Sequence, residues 1–140
     1  MSTALSWSGV GLVAVGGAMG AVSRYALSDK VAQWALTLSP TTRFPWGTWS
    51  VNLLGCLIMG VLAGLALRHA WFDTPMRLLL MTGLMGGFTT FSSFGLETLD
   101  LVLDKHWGLA LSYSISSLLL GVLAAVLGMA LGAGSAGLSR

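Results

Sequence analysis

Charge is what this sequence has least of. Only 9% of its 140 residues are Asp, Glu, Lys or Arg, against roughly a quarter in soluble chains. Hydrophobic residues make up 55%. So little charge excludes an ordinary water-soluble domain and reads as an integral membrane protein of one domain. The formal net charge of +2 is too small for the basic footprint of a nucleic-acid binder. Cysteine occurs once, at Cys56, which excludes an intrachain disulfide and reads as a small apolar helix residue. No nucleophile–base pair or metal-ligand cluster is visible, and His69 and His106 stand at the ends of apolar runs with no second ligand near, so an enzyme is not expected. The first apolar run lacks a positive leading region and a clear cleavage site, which argues against a removed signal peptide. Residues 132–139, rich in Gly and Ser, read as a fraying tail.

What is present is four long apolar runs. The expected spans are 7–27, 47–67, 76–103 and 107–133, each long enough for a bilayer core. Gly16 and Gly20 in the first, Gly60 and Gly64 in the second, and Gly128 and Gly132 in the fourth have the small-xxx-small spacing that lets helix backbones approach. The six tryptophans fall near span ends, as an interfacial aromatic belt does. Residues 29–45, with Trp34 and Pro40, are expected to form a loop or a short interfacial turn. Arg24, near the end of the first span, is in most membrane proteins a snorkelling residue.

The third run is the anomaly. Its middle, residues 83–94, reads GLMGGFTTFSSF. Gly costs a helix about 1 kcal/mol relative to Ala, and the pair Gly86-Gly87 is followed by four hydroxyl residues. A non-helical break is expected from Gly86 to Thr90. Irregular polar backbone survives at membrane depth only when buried in protein or lining a wet path. Beyond the break, helical spacing puts Phe91, Phe94 and Thr98 on one face and Thr90, Ser93 and Glu97 on its neighbour. In the fourth span Tyr113 and Ser117 share a face, as do Ser112 and Ser116. Hydroxyls, the amide of Asn52 and the positive edges of aromatic rings are donors without formal charge. Such a path can host an anion without holding it too tightly to leave. An acid within a span, Glu97, is a functional candidate by default. Unwound backbone also exposes carbonyl oxygens, the ligands that sodium takes in transporters; one break offers too few, two meeting at a dimer axis enough.

Four spans place Arg68, Arg77 and Arg140 on one side and Arg24, Lys30, Arg43 and Lys105 on the other. Lys/Arg bias sets orientation, and here it is nearly absent. The chain is therefore expected to insert both ways round and to pair antiparallel with a second copy.

These residues resemble the Fluc (CrcB-type) fluoride channels over nearly the whole length. The carriers are GAVSRY at Gly20 to Tyr25, VNLLG at Val51 to Gly55, and above all GGFTTFSSF at Gly86 to Phe94 with Glu97 following. The resemblance implies an all-α fold of four spans with the third broken, in a dual-topology antiparallel homodimer of the cell inner membrane. It implies passive fluoride conduction that rejects chloride and lowers cytoplasmic fluoride through two pores. Phe91 and Phe94 would turn ring edges to fluoride, Asn52 would be the pore amide, and Tyr113 and Ser117 would begin a hydroxyl track. Ser92 and Ser93 belong to the same pore motif, Ser93 standing where the family commonly has threonine. Gly86 and Thr89 would give carbonyls to a structural sodium ion. Glu97 and Arg24 would lie near pore ends. Gly121 and Ala125, beyond Ser117, depart from members that continue the hydroxyls.

Two other readings stand beside this one. A small proton-coupled dual-topology exporter would use Glu97 as its proton carrier, although such carriers usually keep the acid in the first span. A non-transporting assembly subunit would not need the broken motif.

Overall fold

The structure, a computed structural model, describes residues 6–134. Among them there are helices and no strands, and four helical segments are long and apolar enough to cross a membrane. Most of the expected tail, residues 135–139, and the cation Arg140 lie outside the described residues; Gly132 and Ala133 belong to the last helix.

Helix α1 runs Trp7–Leu38, started by Ser6, whose Oγ accepts from the Gly9 N–H at 3.1 Å. It does not stop near Leu27. The expected loop from Asp29 is helical through Leu38, because nothing breaks it before Pro40 and Gln33 donates to Asp29 one turn back at 2.8 Å. Thirty-two residues make about 48 Å of helix, longer than a hydrocarbon core of ~30 Å. The last turns of α1 therefore reach beyond it.

Helix α2 is Trp46–Arg68. After a short turn, the Asp73 side chain accepts from the Met76 N–H at 3.2 Å, with Pro75 in the first turn, and starts helix α3, residues 74–88. Within it Arg77–Met85 is wound as a π-helix, a winding often found at functional sites. Thr89 and Thr90 are extended. Helix α4, Phe91–Leu103, restarts with Thr90 Oγ1 accepting from the Ser93 N–H at 3.2 Å. After residues 104–106, helix α5 is Trp107–Ala133.

The third span is broken, but the break falls on the threonines. Gly86 and Gly87 are helical, Gly86 with φ −61° and ψ −38°. The expectation that glycines would break the helix gives way to two other pressures. β-Branched Thr89 and Thr90 suit extended backbone, and the Gly87 Cα lies against the Gly17 carbonyl of α1, where a Cβ would collide.

Two helix pairs hold the bundle. A Cβ at Gly60 would strike the Ala125 carbonyl, and one at Gly128 the Leu57 carbonyl, so α2 and α5 meet backbone to backbone. Gly16 and Gly20 likewise sit on the Leu79 and Leu84 carbonyls, seating α1 on α3. This close approach is how transmembrane helices gain packing where lipid offers no hydrophobic drive. Buried side chains are few. Val51, Met85 and Phe88 form one cluster, and Leu101, Ala110 and Tyr113 another. The break lies between them, within reach of α2 and α5.

Candidate functional site

An open cavity of about 420 Å³ lies between α2, the break, the start of α4 and α5. Its lining includes Asn52, Thr89, Thr90, Phe91, Phe94, Ser114 and Ser117, with Cys56 and Gly55 from α2, and no charged residue. The rings of Phe91 and Phe94 are 5.7 Å apart between centroids. Phe91 is 83% exposed, an aromatic side chain held out from the fold.

The hydroxyls divide into two sets. Several are consumed locally: Ser112 and Thr98 donate to the Gly108 and Phe94 carbonyls four residues back, the usual fate of such residues in helices. Thr90 Oγ1 donates to Ser93 Oγ at 3.0 Å and lies 3.3 Å from Ser92 Oγ. Ser92 and Ser93 thus belong to the cap of α4 and do not line the cavity. Ser116 accepts from the Trp49 indole N–H at 3.1 Å, pinning α5 to α2. Ser117 differs. Its Oγ is buried without a hydrogen-bond partner, on the cavity wall.

Asn52 holds the break. Its Oδ1 accepts from the Thr90 N–H at 2.8 Å, and its Nδ2 donates to the Thr90 carbonyl at 3.0 Å. Arg24, on α1, donates from Nε to the Gly87 carbonyl at 3.2 Å. It neither snorkels free nor lines the cavity; it supplies a donor at the end of α3, where helical carbonyls lose their partners. The Gly86 and Thr89 carbonyls stand on either side of that end. Thr90, which would serve Gly86 in an unbroken helix, has given its N–H to Asn52. Two neutral oxygens suit a hard cation such as sodium but fall short of a full oxygen shell, so they fit one only when a second set joins them.

Tyr113 is fully buried and does not line the cavity. Its ring packs on Phe94 at 5.1 Å between centroids. Its hydroxyl donates to Glu97 Oε2 at 2.7 Å, and Thr48 donates to Glu97 Oε1 at 2.6 Å. Glu97 lines a second cavity of about 230 Å³, together with Ser28, Thr42 and Thr48 between α1, the 39–45 loop and α2. Phe94, Tyr113 and Glu97 thus form a continuous line of contacts from one cavity to the other.

Of the residues singled out from the sequence, the cavity gathers Asn52, Phe91, Phe94, Ser117 and Thr89. Ser114 and Thr48 were missed. Both carried a signal: Ser114 lies three residues before Ser117, and Thr48 four before Asn52, so each shares a helix face with a residue already singled out.

The family model described as "CrcB-like protein, Camphor Resistance (CrcB)" matches residues 11–129. The chain is 48% identical over 120 residues to the fluoride-specific ion channel FluC of Methylobacillus flagellatus, covering 86% of this chain and 91% of that protein. It is 49% identical over 120 residues to the FluC of Magnetococcus marinus, covering 86% and 94%. To the FluC of Agrobacterium fabrum it is 42% identical over 123 residues, covering 88% and 94%.

Proposed function

The chain belongs to the CrcB family, and on that footing we propose that it is a channel passing fluoride passively across the membrane. Its relatives are named as ion channels, and the chain is not an enzyme. The observation that carries the reading is a buried, unpartnered Ser117 hydroxyl on a residue that lines the same cavity as two phenylalanine rings. Leaving a buried hydroxyl unpaired costs about 1–3 kcal/mol, a cost that makes sense if the hydroxyl has a transient partner. The Asn52 Nδ2 has a second hydrogen besides the one given to Thr90, and Ser114 adds another donor. Together with the ring edges these groups replace the water of a small anion without a fixed positive charge to trap it.

The path then runs past Phe94 and Tyr113 to the second cavity, with Glu97 at its edge. The two hydroxyls that donate to Glu97 can each swing their single proton to a passing anion, giving up the bond to the carboxylate while the ion is present and returning to it afterwards.

A second copy completes the assembly. The near-even Lys/Arg distribution supports insertion in both orientations, and the exposed ring of Phe91 and the open side of the cavity support an antiparallel homodimer. A two-fold dimer repeats each cavity, giving two pores. It also brings together two sets of Gly86 and Thr89 carbonyls, which would hold a structural sodium ion; bound there, sodium supplies fixed positive charge that ties the two breaks together. Passive conduction in the cell inner membrane would let accumulated fluoride leave the cytoplasm.

The test is efflux from liposomes holding the purified protein, with voltage clamped by ionophore and no pH gradient. Fast fluoride loss with negligible chloride loss is expected. Fluoride loss that appears only with a proton gradient would replace this reading with proton-coupled export through Glu97.

A further inference from the structure

We propose that Asn52 is a positioning residue for the break in the third span: by taking the Thr90 N–H, it leaves the Gly86 carbonyl oxygen free to serve as an ion ligand. In an unbroken helix the Thr90 N–H belongs to the carbonyl four residues back, which is Gly86. Here that N–H goes to Asn52 Oδ1 at 2.8 Å, and Asn52 Nδ2 bonds the Thr90 carbonyl at 3.0 Å. One side-chain amide therefore replaces the helix as partner on both sides of a single residue. It removes the need for Thr90 to be helical, at a depth where an unpaired peptide group would cost several kcal/mol.

The neighbouring groups show that the vacancy is confined. The Thr89 N–H goes to the Met85 carbonyl at 3.0 Å, and the same oxygen accepts from Thr89 Oγ1 at 2.9 Å. The Gly87 carbonyl is taken by Arg24 at 3.2 Å. Between these two engaged carbonyls, that of Gly86 has lost its helical donor to Asn52. The space beside Gly86 is also open: a Cβ there would meet no atom within 4 Å, whereas one at Gly87 would collide with Gly17. The Asn52 side chain reaches from α2 and acts on Gly86 only through Thr90, so its effect on ion binding is indirect.

The identity of the ligand rests on the sodium reading above; the hydrogen-bond exchange does not. The two are separated by reading the carbonyl itself. Protein with a carbon-13 label at the Gly86 carbonyl is reconstituted as wild type, Asn52→Leu and Asn52→Asp, and examined by solid-state nuclear magnetic resonance. Leucine matches the shape but offers no acceptor, so Thr90 returns its N–H to Gly86 and the resonance moves to the hydrogen-bonded helical position. Aspartate keeps the acceptor for the Thr90 N–H and gives up only the donor to the Thr90 carbonyl, so the Gly86 resonance stays with wild type. Sodium titration followed by thermal stability is the second readout: the midpoint should weaken at least about tenfold in Asn52→Leu, the size of effect expected when one hydrogen bond competes for the ligand, and should not weaken in Asn52→Asp, which keeps the acceptor and adds a negative charge. A residue that only touched fluoride would move neither signal. A Gly86 resonance unchanged in Asn52→Leu overturns the proposal. Wild-type stability indifferent to sodium overturns the sodium reading alone, and the carbonyl signal still decides the role of Asn52. Should Asn52→Leu fail to fold, Asn52→Ala poses the same question with less bulk.

Discussion

The Tyr113 hydroxyl donates to Glu97 at 2.7 Å from a side chain with no exposed surface. The acid of α4 is thereby tied to α5, while Thr48 ties its other oxygen to α2. The contact joins the aromatic wall of one cavity to the polar floor of the other.

Tyr113→Phe keeps the ring packing on Phe94 and Phe44 and removes the donor. A part-buried carboxylate that loses one donor is worth about 1–3 kcal/mol, so the variant should fold but melt lower, and fluoride efflux should fall about tenfold or more. Efflux at the wild-type rate would remove the Tyr113–Glu97 line from the path.

Phe91→Ile should slow fluoride efflux strongly and cost little packing within the chain, where the ring is 83% exposed, so a loss of melting point in this variant would report contact with the second copy. Phe94→Ile should cost both, since Phe94 packs against Phe91 and Tyr113. Paired efflux and melting measurements on the two variants separate contact with the ion from packing.

Ser117→Ala should stabilise the protein, or leave its melting point unchanged, while reducing fluoride flux. Its hydroxyl is buried without a partner, so removing it relieves an unmet polar group instead of breaking a bond. Ser116→Ala should do the reverse, lowering stability through the lost Trp49 bond with a smaller effect on flux. A large melting loss in Ser117→Ala would mean the hydroxyl has a structural partner.

Gly128→Leu should abolish a monodisperse, folded preparation, because the Leu57 carbonyl occupies the place of its Cβ and the backbone cannot yield as a side chain would. Gly108→Ala, where a Cβ meets nothing within 4 Å, should be neutral or slightly stabilising. Size-exclusion profiles of the two in detergent make the comparison.

The sequence carried much of the fold in its coarse statistics. Length and apolarity of the four runs determine an all-helical membrane protein, since only a helix satisfies its own backbone over so long an apolar stretch. The small-residue spacings Gly16/Gly20, Gly60/Gly64 and Gly128/Gly132 marked the faces that pack. They did not say which face meets which; the structure pairs the last two with each other and the first with α3. The helix α1 outruns its apolar stretch, which Arg24 and Asp29 bring to an end. Charge ends a span, not a helix, and α1 continues until Pro40 approaches.

The site shows the same division. Residue type and spacing alone identified Asn52, the paired phenylalanines, Glu97 and the broken third run, because polar groups in so apolar a chain are costly to keep. Local sequence placed the break at Gly86 to Thr90, and the structure confines it to the two threonines at the end of that range, the glycines staying helical. Only tertiary contacts decide that Gly87 stays helical against Gly17, that Thr90 gives its N–H to Asn52, and that the Ser117 hydroxyl, among the described residues, is buried without a partner. The reason is physical: a sequence states which donors and acceptors exist, but their pairing depends on groups tens of residues apart coming within about 3 Å, and packing alone settles that.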